Sequence, residues 1–386
     1  MESTQFTIEI SSLAHGGHGV GRIDGQVCFV PYALPGDTAR IHITRRAKGV
    51  LGAAIDEIVS PAPARAVEQR CAKFGVCGAC TWLHFAYPAQ AEWKQRIVRD
   101  SLNRLAQLDC DVHWVENSEL RLGYRTRAEF HASKTSRGFY ALGTHDVVDI
   151  ESCPLCHDHL NSALEKLRAL PLDESVEIVV NPEGPEVLVW SRVPNAALRA
   201  MFPTAQSPKD RASRAGFLFD GALVVNGGFS QSSLLLNRLL VAEVRAAVAD
   251  ASRILDLYCG SGNFTATLPE STTVFGLDHN RSAIAAAYAI RPGQYRSGDE
   301  SMFIETLRAE PWDVVILDPP RAGALSIVPA LAESKTGRIV YVSCDPATLA
   351  RDLKKLAAHS WRIAKLTAVD MFPNTAHVET VCVLVR

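Results

Sequence analysis

Residues 253–264 read RILDLYCGSGNF, an apolar segment followed by a glycine-rich turn and by the start of a helical pattern at Phe264. A strand buried on both faces of a parallel sheet is a continuous apolar run, and glycines after it let the backbone approach a ligand closely. The stretch therefore predicts a strand, a ligand-binding turn and a helix in a doubly wound α/β domain. The turn lacks the Gly-x-Gly-x-x-Gly pattern of dinucleotide-binding proteins.

Acidic residues end or follow the next three predicted strands. Residues 273–277 lead into Asp278, a short third strand is followed by Asp299, and residues 312–317 lead into Asp318. Asp278 is well placed to bind two ribose hydroxyls, and Asp299 to face an adenine amino group. These features fit a Rossmann-like sheet that binds a nucleoside cofactor without a pyrophosphate. S-adenosylmethionine (SAM) is the natural candidate.

Residues 342–352, VSCDPATLARD, place Cys344 between an apolar strand and a helix that Asp345 can cap and Pro346 can open. Ligands of open parallel sheets bind at the carboxyl ends of the strands, where a thiol of low pKa can act as a nucleophile. On this stretch alone, a small apolar residue at a strand end is the simpler interpretation.

The composition bounds the class of protein. The chain has 386 residues, of which 47% are hydrophobic and 21% charged, enough for two or three domains. No apolar run approaches the roughly 20 residues of a membrane helix, and residues 1–5 lack the features of a signal peptide, so we expect a cytoplasmic protein without membrane association. A formal net charge of -2 argues against a uniformly basic nucleic-acid binder but permits local basic patches. Nothing in the sequence indicates a protein partner.

The first 60 residues contain five short predicted strands broken by glycine and proline, which predicts a small OB-like β-barrel. Residues 15–22 (HGGHGVGR) followed by 30–37 (VPYALPGD) resemble the TRAM domain, a small RNA-binding barrel. The same segment also carries acidic residues, so a solvated surface explains its charges equally well. The basic residues of the expected RNA-binding face are Arg40, Arg45, Arg46 and Lys48.

Three cysteines follow in a Cys-x5-Cys-x2-Cys pattern at Cys71, Cys77 and Cys80. Ten cysteines in a cytosolic protein are expected to be free thiols, and a cluster at this spacing indicates a metal or iron–sulfur site. Such a site needs a fourth ligand, for which Cys153 is the leading candidate and Cys156 a competitor. The spacing differs from the Cys-x3-Cys-x2-Cys of radical SAM enzymes, and zinc remains an alternative.

The middle of the chain predicts a mixed α/β domain. Residues 87–108 have helical periodicity, and strands are expected at 176–180, 186–191 and 216–219. An arginine-rich strand is predicted at 123–130. Its basic and aromatic residues can bind phosphates and stack on unpaired bases, although a half-exposed strand explains the alternation as well. These residues are Arg121, Tyr124, Arg125, Arg127, Phe130 and His131.

Four motifs occur together and in order: residues 256–265 (DLYCGSGNFT), 318–323 (DPPRAG), 343–352 (SCDPATLARD) and 370–379 (DMFPNTAHVE). With them the chain resembles the RNA uracil-C5 methyltransferases. The barrel and the cysteine cluster make it similar to the TRAM and iron–sulfur branch of that family.

The resemblance covers nearly the whole chain and implies three domains. Residues 1–60 form the TRAM-like RNA-binding β-barrel, 61–225 the central domain with the cysteine cluster, and 226–386 the SAM-dependent methyltransferase domain. It also implies SAM as cofactor, an iron–sulfur cluster of the 4Fe-4S type, and RNA as substrate. Large-subunit (23S) ribosomal RNA is favoured, with tRNA as the runner-up.

The resemblance implies a covalent mechanism. The Cys344 thiolate adds to C6 of uracil, C5 takes the methyl group of SAM, and Glu379 then removes the C5 proton so that the thiol is eliminated. Asp318 is expected near the base, while Arg351 and the helix capped by Asp345 support the thiolate. The target uridine must be unpaired or flipped out of its stack.

The cofactor-binding residues also follow from the resemblance. The sequence departs from the family twice: Ser233 stands where asparagine is usual, and Asp278 where glutamate is common. The first departure affects a base or cofactor contact, and the second shortens a ribose ligand. The implied cofactor residues are Gln231, Tyr258, Gly260, Asn263, Asp278, Asp299 and Asp318.

Three alternatives remain open. A methyltransferase of exocyclic amines also uses an Asp-Pro-Pro turn, but Arg321 stands where that class has an aromatic residue. Cytosine-C5 methylation uses the same thiol chemistry and is disfavoured by the resemblance alone. A metal-bearing RNA-binding protein without catalysis is disfavoured because both Cys344 and Glu379 are present.

Overall fold

The computed structural model describes residues 5–66, 68, 70–210 and 213–386. Residues 1–4 of the predicted first domain thus lie outside the described residues. We find no helix in the described ranges with the length and apolarity needed to cross a bilayer.

The N-terminal part forms one six-stranded sheet around an apolar core that includes Ile8, Cys28, Val30 and Ile41. The strand order is β1-β5-β6-β4-β3-β2, and the five predicted strands are all present. The short β2 is additional. The bounds are β1 Gln5–Glu9, β2 Ser12–Leu13, β3 Gly19–Ile23, β4 Gln26–Val30, β5 Thr38–Ala47 and β6 Val50–Ser60.

The central part begins with α1 (Tyr87–Ser101), a π-helical turn (Leu102–Ala106) and β7 (His113–Val115). A five-stranded sheet of order β10-β9-β8-β11-β12 and a separate β13–β14 hairpin follow. The remaining bounds are β8 Arg127–Ala132, β9 Arg137–Tyr140, β10 Val147–Asp149, α2 Asp158–Arg168, β11 Val176–Val180, β12 Val187–Ser191, α3 Ala196–Met201, β13 Gly216–Phe219 and β14 Ala222–Val225.

The C-terminal part is an eight-stranded sheet of order β17-β16-β15-β18-β19-β21-β20-β7 with helices between the strands. The first five strands are parallel, and the chain winds in both directions from β15. That reversal creates a crevice at the carboxyl ends of the strands. The bounds are α4 Leu234–Val248, β15 Arg253–Leu257, β16 Thr273–Asp278, α5 Arg281–Ile290, β17 Tyr295–Ser297, α6 Glu300–Ala309, β18 Val314–Leu317, α7 Val328–Glu333, β19 Arg338–Ser343, α8 Pro346–Ala357, β20 Arg362–Val369 and β21 Glu379–Val385.

The helix expected from Phe264 onward is replaced by consecutive turns, so this expectation was wrong. Pro269 lacks the N–H that a helix interior needs. The carbonyl groups of this segment accept hydrogen bonds from the Arg291 guanidinium instead. It donates to the carbonyls of Leu268 at 3.0 Å and Thr272 at 2.7 Å. The ligand-binding turn after β15 is therefore followed by a short, tightly bonded coil.

Residues 87–115 fall in the predicted central domain yet pack with the C-terminal sheet. β7 pairs in parallel with β20, His113 lying opposite Thr367. Val98 and Leu102 share an apolar cluster with Leu353 of α8. β7 and the Val98 face of α1 thus pack with the C-terminal sheet, whereas Ile97 of α1 packs with Trp82 and Phe85.

Candidate active site

The carboxyl ends of the central strands open into a cavity of about 1060 Å³. That size accommodates a nucleoside cofactor together with a nucleobase. The fold brings together both predicted catalytic residues and all but one of the predicted cofactor residues at its wall. These are Gln231, Tyr258, Gly260, Asn263, Asp278, Asp318, Cys344 and Glu379.

Asp299 is the predicted cofactor residue that does not line the cavity. Its side chain is exposed and caps α6, accepting a hydrogen bond from the Met302 N–H at 3.2 Å. An aspartate directly before a helix satisfies an unpaired amide in this way, which competes with any outward ligand contact. The next residue, Glu300, accepts a hydrogen bond from the Tyr258 hydroxyl at 3.0 Å.

The turn after β15 is fixed by a carboxylate. Asp278 accepts the Gly260 N–H at 2.9 Å and the Asn280 N–H at 2.7 Å. Tyr258 (φ 60°) and Gly260 (φ 54°) both have left-handed backbone conformations, which curl the turn around the carboxyl end of β15. Asp278 therefore shapes the loop that would hold the cofactor.

Two further side chains of the predicted site have structural partners. The Asn263 and Asn237 amides exchange two hydrogen bonds, at 2.7 and 3.1 Å. Ser233, the residue that departs from the family pattern, is buried and caps α4 by accepting the Leu236 N–H at 3.0 Å. The Ser233 hydroxyl therefore serves as a buried helix cap. The neighbouring Gln231 lines the cavity.

Three carboxyl groups meet at the strand ends. Burial and the nearby charge of Asp278 raise the pKa of Asp318 to about 7. Burial also raises the pKa of Asp256 to about 7, against a hydrogen bond from Thr265 and with the added charges of Asp318 and Asp278. One carboxyl oxygen of Asp256 is buried without a partner among the described residues. Such a concentration of acids favours a cationic ligand.

Cys344 lies between β19 and α8, as predicted. Asp345 caps α8 by accepting the N–H groups of Ala347 and Thr348, both at 2.9 Å. The sequence left the pKa of this thiol undetermined, and the fold raises it. Burial raises the pKa of Cys344 to about 11, the charges of Glu379 and Asp318 add to the rise, and Arg321 opposes it.

The cation beside the thiol also differs from the expectation. Arg351 donates to Asp352 at 2.9 Å and to the Ala322 carbonyl at 2.7 Å, so its charge is already engaged. Arg321 lines the cavity and lowers the pKa of Cys344 instead. Its position in the DPPRAG motif was visible in the sequence, but only the turn of the chain points it at the thiol.

Glu379 is the first residue of β21 and only 4% exposed. Burial and then the charge of Asp318 raise its pKa well above 4.5, against Arg321. A carboxyl group with a raised pKa is suited to accept a proton near neutral pH. The loop before Glu379 contributes Phe372 and His377 to the same cavity.

The rim of the cavity holds Phe229, which sequence reasoning did not assign, beside Arg127, one of the predicted phosphate-binding residues. Phe229 is 58% exposed, and the Arg127 guanidinium lies 5.0 Å from its ring centre. The same guanidinium donates to Glu177 at 2.6 Å. By contrast, the expected stacking residues Tyr124 and Phe130 are fully buried in the core, so that interpretation was wrong for both.

The cysteines of the predicted cluster share one part of the core. Cys77, Cys80, Cys153 and Cys156 are buried in one apolar cluster, Cys71 packs against it, and all five are free thiols. Burial and then the charges of the nearby Cys153, Cys77 and Cys71 together raise the pKa of Cys80 to about 12. Across the described ranges, however, no group of three or more metal-binding side chains is arranged to hold a metal ion.

The fold and the site define a SAM-dependent methyltransferase: a doubly wound sheet, a glycine turn held by an acidic strand end, and an acidic cavity with a thiol. Comparison with known proteins narrows the class. The family described as tRNA (Uracil-5-)-methyltransferase matches residues 305–386, and the TRAM domain matches residues 1–55.

Relatives match over nearly full length. The chain is 30% identical to 23S rRNA (uracil(1939)-C(5))-methyltransferase RlmD of Alkalilimnicola ehrlichii, covering 99% of this chain and 96% of that protein. It is 31% identical to the RlmD of Chromohalobacter salexigens, covering 100% and 90%. The chain belongs to the RNA uracil-C5 methyltransferase family and carries a TRAM domain at its N-terminal end.

A solved structure agrees with this assignment. The tRNA (uracil-54, C5)-methyltransferase of Pyrococcus abyssi, in complex with S-adenosyl-L-homocysteine, superposes with a TM-score of 0.78 at 26% identity. The match covers 98% of this chain and 99% of that one. The predictions of the fold class, of a TRAM domain, of SAM as cofactor and of the enzyme class are thereby confirmed.

Proposed function

We propose that the protein methylates C5 of one uridine in 23S rRNA, with SAM as the methyl donor. The observation that carries the proposal is the meeting of Cys344, Glu379 and Asp318 with the cofactor turn in one cavity. The full-length relatives named for 23S rRNA support ribosomal RNA as the substrate class. The reaction is expected in the cytoplasm.

Cys344 supplies the nucleophile. Uracil C5 alone is a weak nucleophile, whereas addition of the thiolate to C6 moves electron density to C5. The C5 carbon then displaces the methyl group from the sulfonium of SAM. Because the thiol is protonated near neutral pH in the ligand-free site, it must lose its proton as the base enters. Arg321 is the cation that favours the thiolate at that moment.

Glu379 acts as the base of the second half of the reaction. After methyl transfer, its carboxylate takes the proton from C5, the C5–C6 double bond reforms, and the bond from C6 to sulfur breaks with its electron pair returning to Cys344. Asp318 lines the same cavity. Its carboxylate, with Asp278 beside it, stabilises the positive charge of SAM.

The RNA enters where the rim is aromatic and cationic. Phe229, exposed beneath the Arg127 guanidinium, offers a stacking face for an unpaired base. Arg321 and His377 line the same opening. A uridine flipped out of its helix reaches Cys344 past these residues. The TRAM domain is near this site, since His15 lies 3.3 Å from Asp345, the residue after Cys344.

For the cysteines, we propose an iron–sulfur cluster of the 4Fe-4S type held by Cys71, Cys77, Cys80 and Cys153, with zinc as the alternative. The chemistry of the donor set fits, since four free thiols belong to one region. Arg125 has no carboxylate partner among the described residues, and it donates to the Ala79 carbonyl at 3.5 Å. A buried, unpaired guanidinium there suits an anionic thiolate centre.

Such a centre would join the Cys71–Cys80 loop to the segment around Cys153. Iron and acid-labile sulfide in an anaerobic preparation, with broad visible absorption, would support the iron–sulfur cluster. One zinc ion per chain would support the zinc site instead. Loss of the bound metal in a Cys153→Ser variant with retention in Cys156→Ser would identify the fourth ligand, and the reverse result would assign Cys156.

The substrate is tested by mapping 5-methyluridine in RNA from a strain lacking the gene. We expect one 5-methyluridine to disappear from 23S rRNA and to return with wild-type protein but not with a Cys344→Ala variant. Loss of a 5-methyluridine from tRNA instead would mean that the substrate is tRNA, the RNA named for the Pyrococcus abyssi protein. No change in either RNA would contradict it.

The covalent mechanism has a separate test. An RNA with 5-fluorouridine at the target position, incubated with SAM, should form a complex that survives denaturing electrophoresis, because fluorine cannot leave as a proton. The complex should require Cys344. A wild-type enzyme that methylates the uridine RNA but gives no such complex would show that the thiol does not attack C6.

A further inference from the structure

A buried lysine of α1 reaches the loop between β20 and β21. The Lys94 ammonium donates to Asp370 Oδ1 at 2.7 Å and to the Phe372 carbonyl at 2.9 Å. The two charged side chains are 0% and 1% exposed. An unpaired charge at such a depth is strongly unfavourable, so each side chain fixes the position of the other. The first residues of the loop are thereby tied to α1.

The same face of α1 binds the loop at two more points. Gln90 lies one helical turn before Lys94 and makes two hydrogen bonds with Asn374. The Asn374 N–H donates to the Gln90 side-chain oxygen at 2.9 Å, and the Gln90 amide nitrogen donates to the Asn374 side-chain oxygen at 3.1 Å. Tyr87 at the start of α1 donates its hydroxyl to Asp370 at 2.6 Å. The second carboxyl oxygen of Asp370 is therefore also engaged.

This loop carries part of the cavity wall. Phe372, His377 and Glu379 all line the cavity, and the main-chain carbonyl of Phe372 is bound directly by Lys94 of α1. Glu379 begins β21 directly after the loop and lies close enough to Cys344 for its charge to act on the thiol. Glu379 pairs across β20 and β21 with Val369, the residue directly before Asp370, so the contacts that hold Asp370 also bear on the strand pair that places Glu379.

We propose that Lys94 is a positioning residue for the elimination step: by holding Asp370 and Phe372 it keeps the Glu379 carboxylate in line with the C5 proton of the methylated adduct. The proposal rests on the proposed function, in which Glu379 is the base. The carboxylate takes the proton, the C–H electron pair becomes the C5–C6 double bond, and the C6–S bond breaks to release the Cys344 thiolate. Methyl transfer precedes this step and does not need the carboxylate in line.

The test compares Lys94→Met with wild type and with Glu379→Gln, using uridine RNA and SAM. A displacement of about 1 Å at a reacting group costs on the order of 100-fold in rate. We expect Lys94→Met to slow multiple turnover by about that factor and to accumulate the covalent RNA adduct, which is also the outcome expected of Glu379→Gln. Single-turnover methyl transfer, measured by rapid quench with labelled SAM, should change much less.

A matched control removes another buried ion pair. Arg65 donates to Asp37 at 2.6 Å beside the N-terminal sheet, and Asp37 is fully buried. The Arg65→Met/Asp37→Asn variant should lower the melting temperature without accumulating adduct at saturating RNA. This separates a general loss of stability from a specific effect on Glu379.

Lys94→Met leaves Asp370 unpaired and can fail to fold, so Lys94→Met/Asp370→Asn is tested beside it. That variant removes both charges and should accumulate adduct in the same way. The role of Lys94 would be overturned if a folded variant slowed methyl transfer and release of the RNA from Cys344 equally and accumulated no adduct. It would also be overturned if both variants failed to fold. If Glu379→Gln itself gives no adduct, the assignment of the base in the proposed function has failed instead.

Discussion

The imidazole Nε2 of His15 lies 3.3 Å from Oδ2 of Asp345, so a loop of the N-terminal sheet touches the residue that caps the helix behind Cys344. Burial alone would raise the pKa of Asp345, but the Thr348 N–H, the charge of His15 and the Ala347 N–H hold it below its usual value. The TRAM domain is thus in direct contact with the loop that carries Cys344.

The same N-terminal loop approaches the loop between β20 and β21 at Gly17. Its φ is +82°, and a Cβ atom there would lie 2.4 Å from the Cβ of Ala376. Gly16 has a φ of +91° with open space around the corresponding position. We expect Gly17→Ala to cost about 1–3 kcal/mol more in free energy of unfolding than Gly16→Ala, because only Gly17 is overpacked.

Thermal or denaturant unfolding of the two variants measures this difference, and single-turnover methylation measures its effect on the site. Since both alanines suffer the same unfavourable backbone conformation, Gly16→Ala is the matched control. Equal destabilisation and equal rates would mean that the contact with Ala376 has no energetic weight.

The reactivity of Cys344 should follow its raised pKa. With a pKa of about 11, alkylation of the free enzyme by iodoacetamide should increase about tenfold for each pH unit between 7 and 9, as the thiolate fraction does. Removing the negative charge in Glu379→Gln should lower the pKa and speed alkylation. Removing the positive charge in Arg321→Met should raise the pKa and slow it.

Mass spectrometry of the peptide that contains Cys344 measures its alkylation, and the other cysteines are distinguished because they lie in other peptides. A rate that is already constant from pH 7 upward would mean that the free enzyme holds a thiolate. A change in the same direction for both variants would contradict the assignment of their charges.

The affinity for SAM should depend on the ionisation of Asp318. Its pKa is raised to about 7, so the carboxyl is mostly protonated at pH 6 and mostly ionised at pH 8. The ionised form attracts the cationic sulfonium, and affinity should therefore rise about tenfold from pH 6 to pH 8 if only this form binds. Calorimetric titration checks this. Asp318→Asn should bind weakly at both pH values, and an unchanged pH dependence in that variant would assign the titration to another group.

Asp278 and Asp299 should behave differently, although both were predicted to bind the cofactor. Asp278 holds the Gly260 and Asn280 amides and lines the cavity, so Asp278→Ala should cost about 1.5–3 kcal/mol of SAM binding. Asp299→Ala should leave SAM affinity unchanged and instead lower the free energy of unfolding by about 1 kcal/mol, the value of a helix cap. Weakened SAM binding in Asp299→Ala would restore its predicted role.

The sequence predicted those features whose causes are local. The strands at residues 253–257 and 338–343 follow from continuous apolar runs, and Asp345 was identified as a cap because the residues that form a helix start are adjacent in the chain. The common edge of the acidic residues followed from the order of strands and turns. Four motifs in register were enough to indicate the family before any tertiary contact was known.

What required the tertiary structure was the direction of each charge and the partner that faces it. Arg321 rather than Arg351 lies beside the thiol, and Asp299 turns into a helix cap, because neighbouring elements decide where a long or short side chain finds its partner.

The raised pKa of Cys344 and the buried pair of Lys94 and Asp370 depend on residues far apart in the chain. Burial and charge act through space, so the sequence determined the class of the enzyme, while the fold alone decided the electrostatic setting of its nucleophile and the support of its base.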